Sequence, residues 1–263
     1  MSVPIKLSAA VFPVFSDFQK DPEATFKALS EMGFEGIELY GDTIHSAETI
    51  RLLSQKYNLA ITGAQISWRY FMDEKQLTSL MSYHQIIGNP HLIISALGGP
   101  WEAGHKINEN TISTWLAHTK RMNEVQEIVA RHGFTLDYHT HDYDFAEKIE
   151  DKQTSFELIR AHADPQVGIE IDTGSCIKGG QSPQALIQEL GQRARLVHCK
   201  PVTQEGSFET NIGAADDVND WEAIISASQH HSAVQWLVVE PENEQSDWHF
   251  SMKNGLDYLR NKM

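Results

Sequence analysis

Eight short apolar runs, each followed by a longer stretch with helical spacing of its apolar residues, constrain the fold more than any other feature of this sequence. The apolar runs span residues 5–11, 36–40, 59–66, 90–97, 134–139, 167–172, 196–200 and 234–240. The helical stretches span 22–32, 46–56, 73–87, 108–132, 154–163, 183–193, 221–230 and 247–261. Strands that alternate with helices are typical of βαβ units and therefore of a parallel sheet.

Eight such units in 263 residues predict an α/β protein with a (β/α)8 TIM barrel, a fold that typically takes ~250 residues. We expect one domain over residues 1–263. A doubly wound open sheet is the alternative, but the first predicted strand is not followed by the GxGxxG turn of a dinucleotide-binding fold. Asp21 followed by Pro22 predicts the start of the first long helix, because Asp caps helices and Pro fits their first position.

The 21 basic and 36 acidic side chains give a formal charge of −15. This charge disfavours a dedicated nucleic-acid binder and an anionic membrane surface, since both are bound by clustered Lys and Arg. The longest apolar runs fall far short of the ~18 residues of a membrane span. Cys176 and Cys199 lie outside any CxxC pair and are interpreted as free thiols of a reducing compartment. We therefore expect a cytoplasmic protein, and homo-oligomer formation stays open.

Ionisable side chains concentrate at the carboxyl ends of the predicted strands, where barrel enzymes place their sites. Strands five to eight end near His139, Asp172, His198 and Glu240. Buried groups of this kind cost free energy unless they are paired or bind a metal. Two imidazoles and two carboxylates suit one divalent ion such as Mn²⁺, Zn²⁺, Co²⁺, Fe²⁺ or Mg²⁺. These four residues are the predicted metal ligands, and a metal held by them would polarise a substrate carbonyl.

Neighbouring residues on the same strands have a functional and a plain structural interpretation. Glu170 shares a face with Asp172, so it either lies deeper in the barrel beside a base or is itself the inward residue. His141 is either a hydrogen-bond partner near the metal or substrate, or a loop histidine. Asp137 shares a face with His139 and is a candidate partner for that imidazole.

The candidate substrate-binding residues are Lys200, Gln65 and Trp68. Lys200 either forms a salt bridge or donates to substrate hydroxyls, a phosphate or a carboxylate, and Trp68 either stacks on a sugar or packs at the rim. The Gly-Gly-Pro-Trp segment at 98–101 either cradles an oxyanion or forms only a turn. The acidic side chains within 142–147 are expected on a solvated loop.

The segment YHTHDYDF at 138–145 resembles the Y-H-N-H-D-F-E-F motif of sugar phosphate isomerase/epimerase proteins, which belong to the xylose isomerase-like TIM-barrel superfamily. Other segments resemble that family's second strand, its sixth-strand metal aspartate, its H-x-K-D segment and its last-strand metal glutamate. They are GFEGIEL at 33–39, IEIDTG at 169–174, LVHCK at 196–200 and VVE at 238–240. The resemblance spans nearly the whole chain in the expected order.

The resemblance implies a divalent metal bound by Glu, Asp, His and Glu, and in the superfamily's ketose 3-epimerases the two glutamates form an acid/base pair. Here His139 stands at the first glutamate position, which departs from the two-glutamate mechanism. Pro201 replaces the family's Asp after the Lys, and Ser175 stands where some epimerases have a further His. Sequences similar to inosose dehydratase also carry a His-rich fifth-strand segment.

We therefore expect metal-assisted proton removal next to a carbonyl of a ketose or keto-sugar, by an isomerase or epimerase whose substrate is a sugar or cyclitol. Glu240 is the first candidate base, and His141 or Glu38 is the candidate that returns the proton. Dehydration of a keto-cyclitol starts from the same enolate, and a noncatalytic metal-dependent sugar binder is a third hypothesis. Abasic-site endonucleases share this barrel, but the charge of −15 argues against that activity.

Overall fold

The computed structural model describes residues 4–42, 44–97, 110–242 and 246–263. The predicted apolar runs form eight parallel strands, which close into a barrel in chain order. They are β1 (Lys6–Ala10), β2 (Gly36–Tyr40), β3 (Ala60–Ile66), β4 (His91–Ile94), β5 (Thr135–His139), β8 (Gly168–Asp172), β9 (Ala194–Cys199) and β10 (Trp236–Val239). Strand β1 pairs with both β2 and β10, which confirms the (β/α)8 barrel. A separate antiparallel hairpin joins β6 (Lys148–Ile149) to β7 (Gln153–Thr154).

Helices connect the strands. Their bounds are α1 (Phe15–Lys20), α2 (Pro22–Met32), α3 (Ala47–Tyr57), α4 (Arg69–Met72), α5 (Glu74–Ile87), α6 (Ile112–Ala130), α7 (Asp142–Ala146), α8 (Ser155–His162), α9 (Thr173–Lys178), α10 (Pro183–Leu190), α11 (Trp221–His231) and α12 (Trp248–Lys262). Asp21 caps α2 as predicted, since its carboxylate accepts from the Ala24 amide at 3.0 Å. Within the described ranges, no helix has the length and apolar character that crossing a membrane requires. Cys176 and Cys199 are buried free thiols.

The turn after β5 differs from the solvated loop predicted over 142–147. It folds into α7, and Asp144 is completely buried within it. The Asp144 carboxylate accepts hydrogen bonds from the Tyr138 hydroxyl at 2.9 Å, the Ser155 hydroxyl at 2.6 Å and the His141 amide at 2.9 Å. The prediction was wrong for Asp144 because these three donors replace the water that a surface carboxylate would keep.

The amino-terminal end of the barrel is closed by a polar network around Asp137. This carboxylate is fully buried and lies 2.9 Å from His91 Nδ1, while it accepts from Thr135 Oγ1 at 2.8 Å and Arg195 Nη1 at 3.3 Å. Asp137 pairs in register with Gly168, the first residue of β8. The predicted contact of Asp137 with the His139 imidazole is therefore wrong, because this side chain is used at the opposite end of the barrel.

Candidate metal centre and active site

Two histidines lie at the centre of the site, near the carboxyl ends of β5 and β9. The rings of His139 and His198 meet edge to face with centroids 4.7 Å apart, and both side chains are buried. Each ring has one nitrogen directed towards carboxylates deeper in the barrel and one towards residues nearer the strand ends. The two rings therefore separate the site into a lower and an upper cluster.

The lower cluster consists of Glu38, Gln65 and Glu170, all buried. Glu170 Oε2 lies 2.8 Å from His139 Nδ1, and Glu38 Oε1 lies 2.7 Å from His198 Nε2. Gln65 Nε2 lies 3.3 Å from Glu38 Oε1, 3.3 Å from His139 Nδ1 and 3.4 Å from His198 Nε2. Glu170 therefore lies deeper in the barrel and pairs with the base His139, which is the first of its two predicted roles.

The upper cluster consists of Asp172, Lys200, Glu240 and Glu242. Asp172 Oδ2 lies 3.7 Å from His139 Nε2, and Glu240 Oε2 lies 2.9 Å from His198 Nδ1. The Lys200 ammonium lies 3.4 Å from Asp172 Oδ2 and 3.8 Å from Glu240 Oε2, and it donates to Glu242 Oε1 at 2.6 Å. Each of the four predicted metal ligands thus has an atom at this level of the barrel, in two pairs, and the Lys200 ammonium lies between Asp172 and Glu240.

The charges of the site are set by competition between burial and neighbours. Burial alone raises the pKa of Glu240, but Lys200 and His198 outweigh it and hold that pKa at about 2. Burial disfavours charge on His198, yet Glu170, Glu38 and Glu240 together raise its pKa well above the ordinary value. Burial, reinforced by His198, lowers the pKa of His139 well below the ordinary value. Without a bound metal, these neighbours favour an ionised Glu240, a protonated His198 and a neutral His139. Metal binding by His198 would release its proton, because a ligating imidazole must be neutral.

The donor set fits a divalent cation. Ligand atoms of His139, Glu170 and His198 lie within 4.8 Å of one another. Asp172 Oδ2, Glu170 Oε1 and Glu38 Oε2 are buried and accept no hydrogen bond within the described ranges. Lys200 Nζ lies 3.4 Å from the first and His198 Nε2 lies 3.3 Å from the second, so only Glu38 Oε2 also has no ion-pair contact in those ranges. A buried carboxylate oxygen without a donor is costly, and imidazoles with carboxylates suit a divalent transition ion. The compact set of His139, Glu170 and His198 lies on the Glu170 side of the two rings, and among the described residues the four predicted ligands do not form a set that meets the same limit.

A cavity of about 500 Å³ borders both clusters, touching Gln65 of the lower one and Lys200, Glu240 and Glu242 of the upper one, and we call it the inner cavity. Five of the predicted site residues line it: Gln65, His139, His141, Lys200 and Glu240. The other lining residues include Phe12, Tyr40, Phe208 and Glu242, which the sequence analysis did not single out. Glu242 could have been found from its position two residues after Glu240, whereas Phe208 lies in a loop without a periodic signal.

His141 faces the inner cavity beside the two central histidines. Its ring lies 4.9 Å from that of His139 and is parallel to the Tyr143 ring, with an interplanar angle of 6° and centroids 5.0 Å apart. The Tyr143 hydroxyl lies 3.2 Å from His141 Nδ1. Burial, reinforced by Lys200, lowers the pKa of His141 to about 3, so the imidazole is neutral at pH 7.

Three further candidates lie away from the inner cavity or outside the described ranges. Trp68 is buried and packs against Phe71 and His118, with ring centroids 5.9 and 5.8 Å away. Glu38 lies beneath His198, and neither it nor Trp68 is among the described residues that line the inner cavity. The segment at 98–101, a candidate oxyanion cradle, lies outside the described residues.

Comparison with known proteins places the chain in a family. Residues 26–262 match the family model described as xylose isomerase-like TIM barrel, and the chain belongs to this family. Among curated proteins, inosose dehydratase of Clostridium botulinum (strain Alaska E43 / Type E3) is 22% identical over 269 residues, covering 90% of this chain and 87% of that protein. Inosose dehydratase of Geobacillus kaustophilus (strain HTA426) is 25% identical over 191 residues, covering 67% of this chain and 61% of that protein.

Solved structures show the same fold. A sugar phosphate isomerase/epimerase from Parabacteroides distasonis ATCC 8503 superposes with a TM-score of 0.75 at 17% identity, covering 97% of this chain and 93% of that chain. A D-psicose 3-epimerase solved in the presence of D-fructose gives a TM-score of 0.73 at 12% identity, covering 98% of this chain and 99% of that chain. At these identities the likeness concerns the barrel itself.

Proposed function

We propose that this protein is a metal-dependent sugar isomerase or epimerase, which removes a proton from the carbon next to the carbonyl of a ketose or keto-sugar. One observation carries the proposal. His139 and His198 each contact a carboxylate on the buried side and a second carboxylate on the side of the inner cavity. The family and the names of its members support a sugar or cyclitol as the substrate.

We assign metal binding to His139, Asp172, His198 and Glu240, because His139 and Glu240 line the cavity in which a substrate would lie and Asp172 and His198 contact them. Metal binding there requires the Lys200 ammonium to move away from Asp172 Oδ2 and Glu240 Oε2, which lie 3.4 and 3.8 Å from it. In this assignment Glu38 and Glu170 orient the two imidazoles from below, as carboxylates commonly do for metal-bound histidines. These residues would hold a divalent ion that, when bound, would polarise a substrate carbonyl and make the neighbouring C–H more acidic.

The remaining roles, proton transfer and substrate binding, are assigned to side chains around the cavity. Glu240 is ionised throughout the neutral range and is the proposed proton acceptor. His141 is the proposed group that returns a proton from its side of the cavity: its neutral ring gives up its N–H proton to the carbon while the other ring nitrogen takes a proton from water, and Glu240 afterwards releases the abstracted proton to water. Burial disfavours the ammonium of Lys200, but Asp172 and Glu240 raise its pKa above the ordinary value, so it stays a cation. We assign it and Gln65 to hydrogen bonds with substrate oxygens. Glu38, which does not line the cavity, fits a positioning role under His198 better than a catalytic one.

The test is solvent exchange. Purified protein is supplied in turn with each divalent metal in D₂O, and deuterium incorporation into a panel of ketoses, keto-cyclitols and 3-keto-sugars is followed by NMR. We expect exchange into one compound class, lost in Glu240→Gln but retained in the exposed control Glu222→Gln. Full exchange in Glu240→Gln would contradict the role of Glu240. Ligand binding without exchange in any metal would instead identify a noncatalytic sugar-binding protein.

Dehydration is a second candidate, and the Lys200–Glu242 pair favours it. The two side chains share a 2.6 Å hydrogen bond at the edge of the inner cavity, next to Glu240. A base on one side and a hydrogen-bond donor on the other suit loss of a β-hydroxyl from an enolate as water. The curated relatives are named inosose dehydratases. An unsaturated diketone product, detected by its ultraviolet absorbance, would identify the lyase, whereas a keto-sugar product of unchanged mass would identify the isomerase.

A further inference from the structure

The inner cavity continues into a second space of about 790 Å³, which we call the outer cavity. Four residues line both: Phe12, Lys178, Phe208 and Glu242. The two cavities are therefore neighbouring compartments with a common boundary. A ligand bound at the upper cluster can extend from the inner cavity into the outer cavity past these four side chains.

The walls of the outer cavity come mainly from three separate connections at the same end of the barrel. Phe12 and Pro13 follow β1, Phe208 lies between β9 and α11, and Pro241 follows β10. Trp248 at the start of α12 completes the aromatic part of the wall, and its Nε1 donates to Asp17 Oδ2 at 3.0 Å. This hydrogen bond restrains a partly exposed ring. Rings that combine an apolar face with a polar edge suit ligands that are themselves amphipathic.

A buried hydroxyl without a partner lies in the same wall. Ser251 lines the outer cavity and is only 2% exposed, yet its Oγ makes no hydrogen bond with any residue in the described ranges. A serine within a helix can bond to the carbonyl four residues earlier, and several serines of this protein do so, among them Ser228 with Ile224. Ser251 does not, which leaves its hydroxyl available to a polar group in the cavity.

The charges of the outer cavity favour an uncharged ligand. Its cation Lys178 is paired with Asp142 at 3.0 Å. Glu209, Glu242 and Asp247 also line the space, so carboxylates outnumber cations among the described lining residues. A phosphate would be repelled by such a wall, whereas a polyhydroxylated ring offers hydroxyls to these groups and C–H faces to the aromatic rings.

We propose that the outer cavity is a subsite for the second sugar ring of a glycosidically linked keto-sugar, whose carbonyl-bearing ring occupies the inner cavity. This inference rests on the proposed function and narrows its substrate class to uncharged keto-disaccharides. The inner cavity holds the ring on which chemistry occurs. The outer cavity recognises its glycosidic partner through Trp248 and Ser251, because the Lys178 and Lys200 ammonium groups already lie 4.8 and 4.5 Å from the centre of the Phe208 ring.

The experiment compares one-ring and two-ring probes on the metal-supplied protein. Affinities for 3-ketoglucose and for the 3-keto derivatives of cellobiose and maltose are measured by titration calorimetry. We expect at least one two-ring probe to bind about tenfold more tightly than 3-ketoglucose, the range that one well-placed aromatic contact supplies. Equal affinities, or no binding of any two-ring probe, would overturn the subsite.

Matched variants locate the preference. Trp248→Ala is expected to remove most of the tenfold difference and leave the affinity for 3-ketoglucose unchanged. Phe250→Ala is the control, since that ring is 59% exposed on the same helix and is not among the described residues lining the outer cavity. Ser251→Ala removes an unbonded hydroxyl, so it should melt like the parent protein while binding the two-ring probe less tightly. A preference that survives Trp248→Ala and Ser251→Ala would contradict the assignment.

Deuterium exchange on the same samples distinguishes the two proposals. If the protein prefers two-ring probes in a way that depends on Trp248 but catalyses no deuterium exchange, the subsite is supported and the proposed isomerase activity is contradicted. If deuterium exchanges into 3-ketoglucose but two-ring probes bind no more tightly, the proposed activity is supported and the proposed subsite is contradicted.

Discussion

His139 and His198 lie edge to face at the barrel centre, and each uses one ring nitrogen to contact a carboxylate below it. Glu170 and Glu38 are those carboxylates, and both are buried. Hydrogen bonds of this kind fix the orientation of an imidazole and increase its basicity. The lower cluster should therefore control metal affinity even where it does not touch the metal.

Replacing Glu170 by Gln keeps the shape of the side chain but replaces the carboxyl group that lies 2.8 Å from His139 Nδ1 by an amide that cannot ionise. We expect the affinity for a divalent metal to fall about 10- to 100-fold, the usual effect of losing such a partner. Competition with a chromophoric chelator measures the change, and His198→Ala should abolish binding. If Glu170→Gln abolished binding while Asp172→Asn did not, Glu170 rather than Asp172 would be the metal ligand.

Lys200 and Lys178 provide a matched pair for the electrostatics of the upper cluster. Lys200 is buried among Asp172, Glu240 and Glu242, whereas the Lys178 side chain is 39% exposed and pairs with Asp142. Lys200→Met should cost roughly 3–5 kcal/mol of unfolding free energy in the metal-free protein, because it leaves buried carboxylates without their cation. Lys178→Met should cost under about 1 kcal/mol. Urea denaturation measures both, and similar small losses would contradict the argument.

Asp144 should give the protein a distinct pH dependence. Burial outweighs the hydrogen bonds from Ser155, His141 and Tyr138 and raises its pKa from 3.8 to about 7. The folded state thus retains this proton more strongly than the unfolded state. The stabilisation is complete below about pH 4 and is lost as the pH rises through 7. Its upper limit is ~4 kcal/mol.

The measurement compares the wild type with Asp144→Asn, which cannot titrate. Urea denaturation at intervals from pH 4 to 8 should show the wild type losing stability relative to the variant as the pH rises. A constant difference over that range would mean that Asp144 is already ionised in the folded protein.

Gly168 should be intolerant of a side chain for a steric reason. A Cβ atom there would lie 1.9 Å from Asp137 Oδ1 and 2.8 Å from Arg195 Cδ, so the network at the amino-terminal end would have to move. Gly168→Ala should cost at least ~1–3 kcal/mol, as overpacking usually does. Gly133→Ala is the comparison, since nothing lies within 4 Å and only the positive φ of 83° opposes it. Thermal melts of both variants test the ranking.

Local patterns in the sequence determined the barrel and most of the strand-end residues. Apolar runs bounded by capping residues such as Asp21 and Gly33 are local signals, so the eight units follow from short windows of sequence. The alternation of side chains along a strand places His139, Asp172, His198 and Glu240 at one end of a closed parallel barrel. This reasoning needs no knowledge of contacts between distant residues.

Tertiary structure alone decided which partner each of these groups meets. Strand alternation places Asp137 and Glu170 correctly on inward faces. Only the register between strands determines that Asp137 contacts His91 and that Glu170 contacts His139. The burial of Asp144 likewise depends on Ser155, which follows the β6–β7 hairpin. The outer cavity joins Phe12, Phe208 and Trp248 from loops far apart in sequence. Such contacts depend on how the closed barrel brings separate loops together, and no short window of sequence encodes that arrangement.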